Sequence, residues 1–480
     1  MRSRPCPPPE PTETALLERL LPADHELLRI AGAVDWSFLD AETDALYSPG
    51  VGRPAYPAGV LFRLLFLEYY ADLSDAEAAE QCRYNLLYRA FVGLPLVGPT
   101  PDDTTLVVFR RRLGAERFRR CFDALVAQCR DAGLLEGRLK VVDATHVVAD
   151  IAIPNTVNLL REARRKLVGA VEADGGTARP DLRGRYQTDD YVRGVPTART
   201  LAAAAALSGA LLAETGAVAG TRVAAARALL ADIPRPPRER VTSVVDPDAR
   251  FGHKSPRRTF VGYKLHVAED TSEIVTTVQA LPGNVHEGSR LPELLAEEER
   301  KGVHQTGVVA DKLYDSARNR ALVQRLGSAA HIPRRHRLRV DRFGYDPATD
   351  ALVCPRGERS THRYPEEHRT RYSFTPALCR GCPEAGLCPP PNRGRVRVTV
   401  ANHHLARLRG APSSTPTVEY ERKRVERKFG QAKTNHGLGR ARYRGLAKVL
   451  VQGLLTFFVL NAKRLVRLLA APSPNAAAAG

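Results

Sequence analysis

Two carboxylates in this 480-residue chain sit where a folded protein would not leave them without a reason. Asp143 interrupts the apolar run Val141, Val142 and Ala144, and Asp311 closes the run from Val308 to Ala310. A buried, unpaired carboxylate is costly, so each needs a cation, a set of hydrogen bonds or a raised pKa. Acids delivered by neighbouring strands could share a divalent metal, since hard cations take oxygen ligands. A third ligand must then come from elsewhere, and the late segment VEYERKRVERKFGQAK offers one. Arg422, Glu426 and Lys433 are separated there by four and seven residues. On a helix those offsets fall within about 40° of one another, which frames one acid between two cations. Glu419 lies on the same stripe as a rival carboxylate. An ordinary salt-bridge ladder has the same spacing, so the residues alone leave both readings open.

A second constellation is Cys354, Cys379, Cys382 and Cys388, spaced C-x24-C-x2-C-x5-C among glycines and prolines that permit tight knuckles. Four thiolates suit a tetrahedral structural Zn²⁺ closed to catalysis, and the alternative is four free thiols. Cys82, Cys121 and Cys129 fall in apparent helices, where burial as small apolar residues is the default. His146 reads as a hydrogen-bonded structural histidine, Asp150, Asp246 and Asp270 as turn markers at strand ends, and Asp315 as a helix cap.

The elements that must position these residues change in texture along the chain. Residues 14 to 135 read as successive helices. Ser74 with Glu77 forms a capping box opening one helix through Leu94, and Thr100, Pro101 and Asp103 open another with proline in its first turn. The second helix carries six arginines between Arg110 and Arg120, Arg111 and Arg112 among them, against one acid. Such a pair fits a helix-turn-helix type DNA reader or an arginine-coated solvated surface. Residues 138 to 153 alternate as a strand, and about 155 to 240 form a helical insertion, with a mobile stretch around EADGGTARPDLRGRYQ. Then come a hairpin, RTFVGYKLHVAED with SEIVTTVQALPGN, a helix, and the strand ending at Asp311. This order predicts a mixed α/β sheet with an antiparallel edge.

The expected division is a helical DNA-binding domain at 1–135, the first part of a catalytic domain at 136–340, a small β-rich cysteine insert at 341–400, C-terminal helices at 401–470 and a disordered tail at 471–480. Seventy-two Lys and Arg against 53 Asp and Glu leave a formal charge of +19. That excess points to nucleic acid, with GC-rich codon usage as the bland alternative. No signal peptide is evident, and VLVQGLLTFFVLNAKRLVRLL, the most apolar window, reads as a buried helix, so a cytoplasmic protein without a membrane partner is expected.

The segments VDATH, ADKLYDS and RKRVERKFGQAK, in this order, resemble the three active-site motifs of bacterial insertion-sequence DDE transposases. They fit the group marked by a Y-x2-R-x3-E-x6-K signature. Arg422, Glu426 and Lys433 match it in register, Tyr420 stands one place late, and Leu313 replaces a glycine of the second motif. The helical stretch from Leu73 to Leu113 resembles the N-terminal domain of the same enzymes, so the likeness spans roughly residues 50 to 460. It implies an RNase H-like catalytic domain preceded by an all-α domain, and Asp143, Asp311 and Glu426 as a triad for two Mg²⁺ (or Mn²⁺) ions about 3.5 to 4 Å apart. It also implies that Arg422 and Lys433 grip phosphates, and that a homodimer on double-stranded DNA, at element ends and target, cuts and transfers strands in the prokaryotic nucleoid without a small-molecule substrate. Two further readings are an inactive transposase-derived DNA-binding protein and a nuclease without strand transfer.

If the charge excess serves DNA by neutralising roughly six to ten phosphates, affinity measured by fluorescence anisotropy should fall about 10³ to 10⁵-fold between about 50 and 200 mM salt. A flat response would leave codon usage as the cause of the basicity.

Overall fold

The computed structural model describes residues 10–47, 54–135, 137–175, 181–235, 239–255, 257–333, 342–367, 369–389, 396–401, 405 and 416–470. Its centre is a mixed sheet of β1 (Leu139–Val148), β2 (Arg250–Ser255), β3 (Arg258–Asp270), β4 (Val275–Pro282), β5 (Gly307–Ala310) and β6 (Ala329–His331). β1 runs antiparallel to β3 on one side and parallel to β5 on the other, and β6 runs parallel to β5. The far edge of β3 takes β4 along most of its length and β2 at its start. The order is therefore β4-β3-β1-β5-β6, with β3 reversed relative to its neighbours. The expected antiparallel edge is the β3–β4 pair. The reversed strand lies inside the sheet, because the tight turn after Asp270 returns the chain as β4 beside β3, where the Asp270 N–H donates to the Ile274 carbonyl at 2.9 Å.

Helices precede, interrupt and follow the sheet. The first group is α1 (Pro11–Leu20), α2 (Glu26–Ala33), α3 (Phe38–Thr43), α4 (Ala58–Tyr70), α5 (Asp75–Tyr84), α6 (Leu86–Val92) and α7 (Asp103–Asp131). The Ser74 and Glu77 capping box closes as expected. The helix it opens is shorter than the apolar pattern suggests, because the Asn85 side chain accepts the Leu87 and Tyr88 N–H groups and starts α6 as a new helix. Asp102 caps α7 by accepting the Thr105 N–H, so Pro101 lies ahead of the helix rather than in its first turn. Between β1 and β2 come α8 (Thr156–Gly175), α9 (Leu182–Tyr186), α10 (Ala198–Glu214) and α11 (Thr221–Asp232). They bury their own core of Leu160, Leu167, Leu211 and Leu230, as an insertion must. Of the stretch expected to be mobile, 176–180 lies outside the described residues, as does the 471–480 tail.

After β4 the chain forms α12 (Leu291–Arg300) and α13 (Ala317–Arg325), which cover one face of the sheet through Leu291, Leu294, Leu295 and Val323. Two small sheets follow, β7 (Gly344–Asp346) with β8 (Ala351–Val353), and β9 (His362–Pro365), β10 (Arg369–Ser373) and β11 (Arg397–Ala401), with the short helix α14 (Pro376–Cys379) among them. The chain ends in α15 (Pro416–Asn435) and α16 (Leu446–Ala470).

α16 is long and apolar enough to cross a membrane by length and composition, and 83% of its most apolar window is buried inside the protein. It packs against α2, α4, α7 and β4. Phe458 meets Phe62 at 5.3 Å and Trp36 at 5.9 Å between ring centroids, tying both chain ends into one core. Gly453 permits the close approach of α16 to β3, since a Cβ there would stand 2.9 Å from the Leu265 methyls.

β1 is clamped from the opposite face by a fully buried ion pair. Lys140 Nζ stands 2.9 Å from Glu298 Oε2 of α12. Lys140 also donates to Thr276 Oγ1 at 3.1 Å, and Thr276 donates to Glu298 at 2.8 Å. Removing one partner would leave an uncompensated buried charge. Lys140→Met should therefore destabilise the protein by about 3 to 5 kcal/mol in urea unfolding, whereas the double variant with Glu298→Leu should recover most of that loss.

Candidate active site

The register of the parallel pair β1 and β5 decides the site. Val142 stands opposite Ala310 at the last rung, so the next residues, Asp143 and Asp311, lie abreast on strands about 4.8 Å apart. Side chains alternate along a strand, which puts Asp143 on the face of Val141 and Asp311 on that of Val309. Val141 and Val309 pack into the same core as Val425 and Phe429 of α15. The two acids thus face the late helix. Each ties one oxygen to the backbone, Asp143 Oδ1 accepting the Ala144 N–H and Asp311 Oδ1 the Leu313 N–H, both at 2.7 Å, which fixes the rotamers. The turn after Asp311 closes in this way with Leu313 at the position where the related motif has glycine.

α15 reaches the site because its other faces are anchored. Val425, Phe429 and Ala432 are buried at helical spacing. Arg424 bridges Glu421 at 2.8 Å and Glu273 at 2.6 Å, and buried Lys428 reaches Glu269 of β3 at 3.2 Å. Arg424 and Lys428 escape sequence reasoning because the acids they reach on the sheet, Glu273 and Glu269, are distant in the chain; the local signals were only their four-residue spacing and Glu421 three residues before Arg424. Glu426 is exposed on this helix, while Arg422 and Lys433 are half-buried. The side chain of Glu419 lies outside the described residues. Tyr420 is 57% exposed, with the Arg424 and Arg427 guanidinium groups each 5.8 Å from its ring. Lys433 Nζ stands 3.4 Å from His146 Nδ1. Burial, with Lys433 and Lys254 nearby, pushes the His146 pKa down to about 4, and burial, with Lys254, pushes Lys433 down to about 8. At neutral pH the lysine holds the proton.

The acids feel one another. The Asp143 carboxyl is pushed up to about 7, first by burial and further by Asp311, Glu426 and Glu287, against the Ala144 N–H that lowers it. Asp311 is also raised, by burial first and then by Glu287, with the Leu313 N–H, Arg422 and Lys312 opposing. Glu287 was not singled out from the sequence. It follows β4 and is held by Lys264 Nζ at 2.6 Å. An acid in NVHEGSR is indistinguishable from a turn residue until the sheet brings it to Asp143.

This donor set fits a hard cation. Every ligand it offers is a carboxylate oxygen, and the cluster carries negative charge that its neighbours only partly offset. Among the described residues no three His, Cys, Asp or Glu side chains stand close enough to share one ion. Asp143 and Asp311 stand abreast, and exposed Glu426 is near enough to raise the Asp143 carboxyl.

The remaining candidates fall elsewhere. Arg110 is engaged by Glu68 at 3.0 Å and by Asp75, and lies 4.9 Å over the Tyr443 ring, whereas Arg111 and Arg112 are exposed. Asp150 pairs with Arg440 at 3.1 Å, Asp246 accepts the Tyr263 hydroxyl and the Gly445 N–H, and Asp270 accepts the Gly137 and Ser272 N–H groups. Ser316, rather than Asp315, caps α13, and Asp315 pairs with Arg320 at 3.0 Å. Cys82, Cys121 and Cys129 are buried. Cys354, Cys379, Cys382 and Cys388 line a separate cavity.

Comparison with known proteins places two matches on this architecture. Residues 15–112 match a family described as a transposase domain, and residues 353–466 match a transposase DDE domain. The second match spans Glu426 and the four clustered cysteines; the strands carrying Asp143 and Asp311 lie between the two. A relative from Rhizobium meliloti, an uncharacterized protein named ORF8 in the nfe locus, is 28% identical over 164 residues, which is 33% of this chain and 79% of that protein.

The acid cluster generates a pH signature. With the folded pKa of Asp143 near 7 against an ordinary 3.8, the folded state holds the extra proton between those values. Metal-free protein should lose stability as pH rises through that window, with the loss complete above it. Melting curves should show wild type declining more than Asp143→Asn from about pH 5 to about pH 8, and Mg²⁺ or Mn²⁺ raising the wild-type Tm more at the higher pH. Identical pH responses in the two proteins would mean that the carboxylates do not confront one another.

Proposed function

Because the chain belongs to the insertion-sequence DDE transposases, we propose that it cuts DNA at element ends and joins the freed 3′ ends to target DNA, with Asp143, Asp311 and Glu426 as its catalytic carboxylates. The observation that carries this reading is the parallel register that sets Asp143 and Asp311 abreast. The order β4-β3-β1-β5-β6 with one reversed inner strand supports an RNase H-like catalytic fold, as the motif resemblance implies.

The roles follow from the geometry. Asp143 and Asp311 present carboxylates from rigid strand ends, their rotamers fixed by backbone N–H groups. Glu426 closes the set from α15, whose seat on the sheet is secured by Lys428 and Arg424. Two Mg²⁺ or Mn²⁺ ions held by these acids would supply activation of the attacking oxygen and neutralisation of the leaving one. Arg422 and Lys433, flanking Glu426 along the same helix, meet the DNA phosphates, Arg with two-pronged geometry and Lys as a point charge. Lys264 orients Glu287, which supports the pair from the β4 side. Arg111 and Arg112 offer the N-terminal helices a phosphate-facing surface, and Arg110 serves the interior instead. In this reading DNA binding belongs to residues up to about 135, catalysis is shared by the sheet and the last helices, and the cysteine insert lies between. Bringing two element ends together calls for two such active sites, hence a dimer on DNA in the nucleoid.

With Mg²⁺ and labelled element ends, wild type should cut and join. Asp143→Ala, Asp311→Ala and Glu426→Ala should still bind the ends but lose cleavage by more than about 100-fold, beyond the roughly 10 to 100-fold expected for Glu287→Gln as a supporting residue. Cutting without joining by wild type would make the protein a nuclease, and undiminished cleavage in the triad variants would remove the assignment.

A further inference from the structure

The four cysteines of the insert are unused by the chemistry above, and their arrangement asks for a ligand. Cys354 follows β8 directly and heads a tight turn, its N–H donating to the Glu358 carbonyl and its carbonyl accepting the Gly357 N–H, both at 2.8 Å, with Gly357 at φ +86°. Cys379 ends α14, and Gly381 at φ +71° bends the chain so that the Cys382 N–H faces the Cys379 carbonyl at 3.4 Å. The Cys382 carbonyl accepts the Ala385 N–H, and the Ala385 carbonyl accepts the Cys388 N–H, both at 3.1 Å, which folds Cys388 back toward the pair. Two glycine-bent turns from separate parts of the insert therefore confront one another. All four cysteines are half-buried and line a single cavity of about 560 Å³, together with Arg356 and Arg380.

We propose that Cys354, Cys379, Cys382 and Cys388 bind one structural Zn²⁺ that staples the turn after β8 to the α14 segment. Ligation is Zn²⁺ + 4 R–SH giving the tetrathiolate and four protons released to solvent, with no change of oxidation state. The tetrathiolate centre carries two net negative charges, and the cavity lining sets Arg356 and Arg380 against Glu358, leaving one net positive charge to complement it. The insert also has reason to need a staple: its own core is small, centred on Phe343, Leu352, Tyr372, Phe374, Val398 and Val400. Segments of this size are commonly completed by a metal. Since no three such side chains among the described residues stand within reach of one ion, binding draws the two turns inward over the cavity.

The site is independent of the DNA chemistry, and so is its test. Full-length protein purified without chelator is analysed for metal by mass spectrometry, and its thiols are titrated with a chromogenic disulfide before and after chelation. The expected result is about one zinc per chain, released by a mercurial, with the insert thiols slow to react until zinc is removed. Co²⁺ exchange should give the visible bands of tetrahedral thiolate cobalt. Cys379→Ser with Cys382→Ser should abolish zinc retention, while Cys82→Ser retains it. Wild-type protein that holds no zinc after dialysis against it, or that links these cysteines as disulfides, overturns the proposal whatever the outcome of the cleavage assay.

Discussion

The parallel pairing of β1 with β5 is the constraint on which the site depends. A strand presents alternate side chains to opposite faces, so a slip of one residue in β1 would turn Asp143 away from α15 and put Ala144 in its place. Two features hold the register. Val142 and Ala310 on one face and Val141 and Val309 on the other are buried in different cores, so both faces resist a shift. The Lys140 and Glu298 pair pins β1 three residues upstream of Asp143, where a slip would strand a charge in the apolar layer. Energy spent on burying that pair is returned as uniqueness of position rather than as bulk stability.

The same economy joins the ends of the chain. The N-terminal helices, one face of the sheet and the last two helices share a single core, with Trp36, Phe62 and Phe458 at its centre. Glu68 of α4 accepts Arg110 of α7 at 3.0 Å and Arg442, from the loop between α15 and α16, at 3.1 Å. Arg442 also engages Asp72 and the Leu73 carbonyl. One buried carboxylate thus links the basic N-terminal helix to the loop that follows the Glu426 helix. The N-terminal helices and α15 are therefore joined through packed side chains rather than through a flexible tether.

The parts legible in the sequence were those where a local rule is broken by a costly residue. Asp143 and Asp311 stand out because a carboxylate inside a valine run has no cheap explanation, and the strands around them follow from the same run. The insertion and the buried C-terminal helix were readable from composition and length. What stayed hidden depends on distant partners. Glu287 looks like any turn acid until β4 carries it beside Asp143, and Arg110 reads like its exposed neighbours because Glu68 and Asp75 lie on other helices. β2 and β6 are short, β2 is largely polar, and both pair only because β3 and β5 are already in place. Asn85 broke a helix that apolar spacing alone would continue, since its side chain satisfies the amides of the next helix start.

Charge explains why such a cluster can exist in a protein this basic. Carboxylates that push Asp143 up to about 7 cannot all ionise without a counter-charge, and Arg422 and Lys312 offset only part of the cluster at Asp311, while Lys264 is engaged by Glu287 and Lys428 by Glu269. Arg422 and Lys433 are half-buried on α15, and Arg422 acts on Asp311. Lys433 is held down to about 8 by burial and Lys254, so it retains most of its charge at neutral pH while sitting in an environment that disfavours it. An arriving phosphate would relieve that penalty, and mobile cations would relieve the one on the acids. The acids and Lys433 each therefore carry a burial penalty that an opposite charge would lower.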